Sequence, residues 1–156
     1  MSSFPSEGAG NCGMVDISGK SPTHREAIAV GQVELSQDVM LLIHERKIPK
    51  GDVFTVAKMA GIQAAKETFR WVPLCHPTAI AGVSVDIEFQ PHGVRVTSAV
   101  KAFDKTGVEM EALCAVSAAC LTIYDMCKAV DKAMSIGPIR LLKKSGGRSG
   151  LWTNPK

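Results

Sequence analysis

The stretch Ala81–Phe103, which reads AGVSVDIEFQPHGVRVTSAVKAF, decides the fold of this chain. From Ala81 to Phe89 every second residue is apolar, and the residues between them are small or polar. Strict alternation of this kind predicts a strand with one buried and one polar face. Pro91–Gly93 then predicts a turn into a second strand, Val94–Phe103, so the stretch is expected to form a β-hairpin.

The segments on either side of the hairpin alternate between strand and helix patterns. Together they predict the order β-α-(α)-β-β-α-β, which favours an α+β fold of the ferredoxin-like type, a two-layer sandwich with helices on one face of an antiparallel sheet. The other predicted strands are Arg25–Leu35 and Ile139–Lys143, and the predicted helices are Gln37–Glu45, Asp52–Arg70 and Val108–Ala133.

Length and composition limit the number of domains, the type of ligand and the cellular compartment that this chain could have. A chain of 156 residues suits a single domain with a sizeable core, here expected over residues 14–150 between a flexible tail at 1–13 and a second tail at 151–156. A net charge of +3 suits anionic small molecules but is too small to indicate nucleic acid binding. No apolar run is long enough for a membrane span. Five cysteines without a C-x-x-C pair predict reduced thiols in a cytoplasmic protein.

The long predicted helix contains no charged residue from Ala112 to Tyr124. Its apolar side chains at 3-4 spacing form one stripe that should pack on the sheet. The opposite face carries small and apolar residues around Asp125 instead of the usual Lys and Glu. We therefore expect this outer face to be covered too, by another subunit. The stripe consists of Leu113, Val116, Cys120, Ile123, Cys127 and Val130.

Asp125 and Lys128 lie one turn apart at the end of this uncharged helix. One interpretation is an ordinary i, i+3 ion pair on the helix surface. The other is a carboxylate and an ammonium at the edge of a subunit interface, where desolvation could tune both as acid–base groups.

Cys75 and His76 lie between Pro73 and Pro77, which predict a rigid loop. Adjacent residues of an extended loop point to opposite sides, so a Cys–His nucleophile is disfavoured. A zinc site lacks partners at ligand spacing. The two readings left open are a solvated histidine and a histidine that contacts substrate.

Lys50 precedes the second predicted helix, where free backbone N–H groups favour anions, although an ordinary capped turn also explains the Lys50–Asp52 sequence. The helical rise places Glu111 about 21 Å from Asp125, and Lys50 about 25–30 Å from His76. One small molecule cannot contact all four residues within one chain. Either most of them are irrelevant, or two chains pair antiparallel and bring opposite ends together.

Several motifs together resemble the cyclic pyranopterin monophosphate synthases, the C-type accessory proteins of molybdenum cofactor biosynthesis. The resemblance runs from about Met14 to Gly150 and implies ferredoxin-like subunits in a homohexamer, a trimer of dimers with active sites at a dimer interface. It also implies conversion of 3',8-cyclo-7,8-dihydro-GTP, supplied by a radical S-adenosylmethionine enzyme, into cyclic pyranopterin monophosphate with release of pyrophosphate. The motifs are MVDIS at 14–18, KGD at 50–52, AGIQAAK at 60–66, PLCHP at 73–77, KTGVEMEAL at 105–113, LTIYDMCKA at 121–129 and KSGG at 144–147.

The same resemblance implies roles for individual residues. Asp125, Lys128 and Lys50 match the catalytic residues. The segments that match substrate-binding residues are Leu74–His76 and Glu109–Glu111, namely Leu74, Cys75, His76, Glu109, Met110 and Glu111, with Arg25 and Lys144 as less closely matched contacts. No metal site and no cofactor are expected, apart from Mg²⁺ that could accompany the triphosphate. Two other classes stay open, a non-catalytic nucleotide sensor and a purely structural hexamer.

Overall fold

The computed structural model describes residues 12–155 of the chain. Residues 1–11 of the expected N-terminal tail, and residue 156 at the other end, lie outside the described residues. Within the described part, the helix Glu109–Cys127, here α4, is long and apolar enough to cross a membrane by length and composition, but most of it is buried inside the fold, as a core helix is.

The described residues form one mixed α+β unit. The strands are β1 (Thr23–Glu34), β2 (Ile80–Gln90), β3 (Gly93–Asp104), β4 (Ser135–Ser145) and β5 (Trp152–Thr153), and the remaining helices are α1 (Gln37–His44), α2 (Val53–Lys66) and α3 (Thr68–Trp71). The sheet has the order β2-β3-β1-β4-β5, and every neighbouring pair is antiparallel. The predicted ferredoxin-like fold class is confirmed.

The hairpin forms as predicted, with β2 at one edge of the sheet. Phe89 pairs with Val94 across the turn, and Val85 pairs with Ser98 further along. Val85 and Ile87 are buried against the helices, whereas Asp86 and Glu88, which alternate with them, face solvent. Ser98, on the helix-facing side of β3, donates a 2.8 Å hydrogen bond to the carbonyl of Ala112 in α4. The hairpin therefore fixes the start of α4 over the sheet.

Two predicted helices end at least four residues earlier in the structure than in the sequence analysis. The long helix ends at Cys127 and not near Ala133, because Lys128 caps it and the chain then turns toward β4. The second helix ends at Lys66, and the short α3 follows it. The buried hydroxyl of Thr68 donates to the carbonyls of Ala64 and Ala65, which satisfies the end of α2.

The last predicted strand is longer than expected, and β5 was not predicted. β4 begins at Ser135, before a Gly137–Pro138 pair that weakens the strand pattern. Pro138 falls where the pairing with β1 shifts register, so its missing N–H interrupts no ladder bond. β5 pairs only with Lys143 and Lys144, and it lies within the expected C-terminal tail.

The outer face of α4 differs from its prediction. The inner stripe is buried at Val116, Cys120, Ile123 and Cys127, whereas Val130 lies beyond the helix and is exposed. Ala115, on the predicted outer face, is also fully buried, because α2 of the same chain packs against it. The contact is so close that a Cβ atom at Gly61 would lie 2.9 Å from the Ala115 carbonyl oxygen. A second subunit is thus not what covers Ala115, while Leu121 on this face remains 56% exposed.

Candidate functional site

Three of the predicted site residues meet where α2 begins and α4 ends. The Lys50 ammonium lies 2.6 Å from Asp125 Oδ2 and 3.1 Å from the Asp125 carbonyl oxygen. The Lys128 ammonium lies 2.7 Å from Asp125 Oδ1. We call Lys50, Asp125 and Lys128 the lysine–aspartate cluster. It forms because α2 and α4 pack antiparallel, which brings the residue before one helix to the last turn of the other.

The ion pairs determine the protonation states of Asp125 and Lys128. Hydrogen bonds from Lys128 and then Lys50 lower the pKa of Asp125 to about 2. The same contact with Asp125 raises the pKa of Lys128. At neutral pH the carboxylate is therefore ionised and the Lys128 ammonium keeps its proton. Each of the three side chains is about half exposed (49–52%), so the desolvation expected at a subunit interface is not provided by this chain alone.

A second group of predicted residues lines a cavity of about 540 Å³ at the opposite end of α4. The loop after α3 contributes Leu74, Cys75 and His76, and the start of α4 contributes Glu109 and Met110. We call this cavity the loop pocket. The structure thus brings together five residues that the sequence places in two separate motifs. The other lining residues are Val15, Ile17, Lys20, Val72, Thr106 and Gly107.

Glu111 lies next to this pocket but not in its lining. Its side chain is only 2% exposed, and one carboxyl oxygen, Oε2, has no hydrogen-bond partner among the described residues. Burial raises the pKa of Glu111, because the charged form is poorly solvated there. Glu111 therefore favours its protonated form more than an exposed glutamate does.

Cys75 is not an activated nucleophile in this structure. Burial raises its pKa, and the negative charge of Glu111 raises it further. A reactive cysteine needs the opposite shift, since the thiolate is the nucleophile. The raised pKa of the Cys75 thiol is consistent with the sequence-based argument against a Cys–His nucleophile.

Arg25 and Lys144 lie at the loop-pocket end of the sheet. The Arg25 guanidinium donates from Nε to the Asp104 carbonyl and from Nη2 to the Lys105 carbonyl, both at 3.2 Å. Gly147, at φ +70°, packs on the guanidinium so tightly that a Cβ atom there would overlap it. Lys144 pairs with Ala27 in the sheet, and its ammonium contacts the Ser149 hydroxyl.

The two groups of residues are far apart within one chain. α4 runs from Glu109 to Asp125 as a continuous helix, and its rise of 1.5 Å per residue separates these positions by about 24 Å. Lys50 lies with Asp125, and His76 lies with Glu109. The predicted separation of the two groups is therefore confirmed.

Residues 15–20 were not among the predicted site residues, although they form one wall of the loop pocket. The MVDIS motif at 14–18 was the available signal, but an irregular segment has no periodicity that places it in space. Lys105, which contacts this segment, was missed for the same reason. Among the described residues, no group of three or more His, Cys, Asp or Glu side chains could hold a metal ion.

Comparisons with known proteins agree with the motifs. A model of the MoaC family matches residues 14–147. Three similar curated proteins, each named cyclic pyranopterin monophosphate synthase, come from Thermoanaerobacter pseudethanolicus, Clostridium perfringens and Methylobacterium nodulans. The first is 50% identical over 92% of each chain, the second is 54% identical over 90% of each, and the third is 53% identical over 94% of this chain and 92% of its own.

Proposed function

Because the chain belongs to the MoaC family, we propose that it is a cyclic pyranopterin monophosphate synthase, a lyase of molybdenum cofactor biosynthesis. Its substrate is 3',8-cyclo-7,8-dihydro-GTP, and its products are cyclic pyranopterin monophosphate and pyrophosphate. The observation that carries the proposal is the lysine–aspartate cluster. Two ammonium groups converge on one ionised carboxylate there, in a family whose relatives bear this enzyme's name.

The cluster suits the proton transfers that the rearrangement needs. Opening the aminal-type ring and closing the pyrazine both require a group that delivers a proton and a group that removes one. Lys128, whose ammonium keeps its proton next to Asp125, is assigned the role of proton donor. Asp125, which stays ionised, holds both ammonium groups at the reacting centre.

The last step makes a cyclic phosphate. A ribose hydroxyl attacks the α-phosphorus and releases its proton to water, the bond from that phosphorus to the β-phosphate bridging oxygen breaks, and pyrophosphate leaves with the electron pair. Cations near the departing phosphates stabilise the negative charge that develops. The lysine–aspartate cluster supplies one such cation, Lys50. The loop-pocket end of the sheet supplies two more, Arg25 and Lys144.

A complete site requires two chains in this proposal. The lysine–aspartate cluster of one subunit faces the loop pocket of its neighbour, in dimers that assemble into a homohexamer. The roughly 24 Å between the two groups supports this arrangement, because one nucleotide-derived substrate cannot bridge them within a subunit.

The surroundings of the reaction follow from the same proposal. The protein acts in the cytoplasm, where an upstream radical S-adenosylmethionine enzyme supplies the substrate. It carries no resident cofactor, and Mg²⁺ enters only with the triphosphate. Cytoplasmic placement is supported by the five cysteines, all of which are free thiols in the described residues.

Turnover of the cyclic GTP intermediate by the purified chain tests this function directly. Formation of cyclic pyranopterin monophosphate with one equivalent of pyrophosphate is the expected result. A nucleotide sensor would bind the intermediate without converting it, and a structural hexamer would not bind it. Asp125→Asn separates the first two classes, because it should abolish turnover by an enzyme but leave a sensor's affinity largely intact.

A further inference from the structure

The segment Met14–Lys20 has no regular secondary structure, yet it forms a wall of the loop pocket. Val15, Ile17 and Lys20 line the cavity beside His76 and Glu109. The segment is folded into a compact turn, in which the Ser18 N–H donates to Asp16 Oδ1 at 2.8 Å and the Lys20 N–H donates to the Ile17 carbonyl at 3.1 Å.

Only one side-chain hydrogen bond in the described residues ties this turn to the rest of the fold. The half-buried Lys105 donates from its ammonium to the Ser18 carbonyl oxygen at 3.1 Å. Asp16, in the same turn, also faces this region. Its pKa is lowered mainly by the Ser18 hydrogen bond and further by the positive charge of Lys105.

Lys105 is itself held by elements on the other sides of the pocket. Its carbonyl accepts from Arg25, and its N–H donates to Asp104 Oδ1 at 2.6 Å. The second Asp104 oxygen accepts from the Ala79 N–H at 3.1 Å, at the end of the loop that carries His76. The Asp104–Lys105 pair therefore connects the N-terminal turn, the histidine loop and Arg25.

We infer that Lys105 is a positioning residue of the loop pocket, which holds the Met14–Lys20 wall in place so that Lys20 presents its charge to the phosphates of the substrate. This inference rests on the proposed function for the identity of the substrate. Lys20 is the lining residue with a fixed positive charge, and its ammonium has no ion-pair partner among the described residues. The other charged residue that lines the loop pocket is Glu109, a carboxylate. The unpaired ammonium of Lys20 is therefore the group in this pocket that suits an anionic ligand.

The test compares Lys105→Met with Lys105→Arg in steady-state kinetics. Lys105→Met removes the donor to Ser18 but keeps the length of the side chain, so the wall loses its attachment. We expect KM to rise roughly tenfold or more, the range for losing a charge-assisted contact, while kcat changes less than threefold. Lys105→Arg, which can still donate to a carbonyl, should restore most of the affinity. Lys47→Met is the matched control, because it removes an exposed lysine that pairs only with Glu45.

A double-mutant cycle shows whether Lys105 acts through the wall. Lys20→Ala alone should raise KM by a similar factor, and Lys20→Ala with Lys105→Met should be little worse than either change alone. Fully multiplicative effects would overturn the inference. So would an unchanged KM in Lys105→Met, a fall in kcat with KM unchanged, or a failure of arginine to rescue.

Pyrophosphate binding separates this inference from the proposed function. Calorimetric titration of the unliganded protein with pyrophosphate needs no turnover, and both Lys20→Ala and Lys105→Met should weaken the binding about tenfold relative to Lys47→Met. If the wild-type protein binds pyrophosphate in this way but does not convert the cyclic intermediate, the proposed function fails and the positioning role stands. If the wild-type protein turns over normally and neither variant changes pyrophosphate binding, the positioning role fails alone.

Discussion

The Lys50 ammonium lies 2.6 Å from a carboxylate oxygen of Asp125, although 75 residues separate the two in the chain. The ammonium of Lys128, three residues beyond Asp125, contacts the other carboxylate oxygen at 2.7 Å. An i, i+3 pair alone is an ordinary feature of helix surfaces. A second lysine, from just before another helix, makes the carboxylate the centre of a three-residue cluster, which an ordinary helix-surface pair does not form.

Removal of any member of this cluster should reduce turnover. We expect Lys50→Ala, Asp125→Ala and Lys128→Ala each to lower kcat by roughly two orders of magnitude or more, as for the loss of a proton donor, of the carboxylate that positions it, or of a cation that stabilises the transition state. The three side chains are about half exposed, so the melting temperature should change little. Steady-state kinetics with thermal melting tests this, with Lys47→Ala as the control. Near-wild-type rates in all three variants would contradict the catalytic assignment.

Glu111 should make the stability of the protein depend on pH. Its pKa is raised in the folded state from 4.5, so the native state retains a proton that the unfolded chain loses as the pH rises above this value. The free energy of unfolding contributed by Glu111 therefore falls as the pH rises from about 4.5 toward the higher folded pKa. Glu111→Gln removes this dependence.

Urea unfolding of wild type and Glu111→Gln between pH 4 and pH 8 provides the measurement. The variant should gain stability relative to wild type as the pH rises, and Glu109→Gln, at a more exposed position on the same turn, serves as the control. A difference between Glu111→Gln and wild type that stays constant with pH would show that the buried carboxyl is not preferentially protonated.

The exposed part of the α4 outer face should lie in a subunit contact. The side chain of Leu121, one turn before Asp125, is 56% exposed. Met59, on α2, is 66% exposed. We expect a hexamer in solution, and Leu121→Glu should shift the mass toward smaller species by placing a charge in the contact. Sedimentation at micromolar concentration measures both, with Leu151→Glu as a control near the C-terminus. A wild-type protein that sediments as a monomer would rule out this assembly.

Mixed oligomers test whether a complete site needs two chains. Lys128→Ala damages the lysine–aspartate cluster and His76→Ala damages the loop pocket, so each variant alone should be nearly inactive. In a dimer of the two, one site carries both lesions and the other carries neither. The rate can therefore approach half of wild type per mixed dimer.

One matched mixture controls this experiment. Lys128→Ala with Asp125→Ala damages the same group in both chains, so it should recover no activity. Absence of recovery with Lys128→Ala and His76→Ala, once mass measurement has confirmed mixed dimers, would place the whole site within one chain.

Local pattern was sufficient to predict four of the five strands and the three longer helices, in the right order. The alternation in Ala81–Phe89 determined β2, because a strand with one buried face needs that period, and Asp52 determined the start of α2, where it accepts a 3.0 Å hydrogen bond from the Thr55 N–H. The end of α4 was less predictable. Apolar residues continue past Cys127, and only the turn toward β4 shows that the helix stops there.

The sequence by itself determined the fold class, through side-chain periodicity, and it marked most of the candidate residues through motifs. Only the tertiary structure decided which residues meet. The antiparallel packing of α2 on α4 joins Lys50 to Asp125, and the contact of Gly61 with Ala115 shows that α2, within the same chain, covers part of the face that had been assigned to a partner. The hydrogen bond from Lys105 to Ser18 likewise joins residues 87 positions apart. Periodicity reports which face of an element is buried, whereas contacts between distant segments depend on how the elements pack, and no local pattern encodes that.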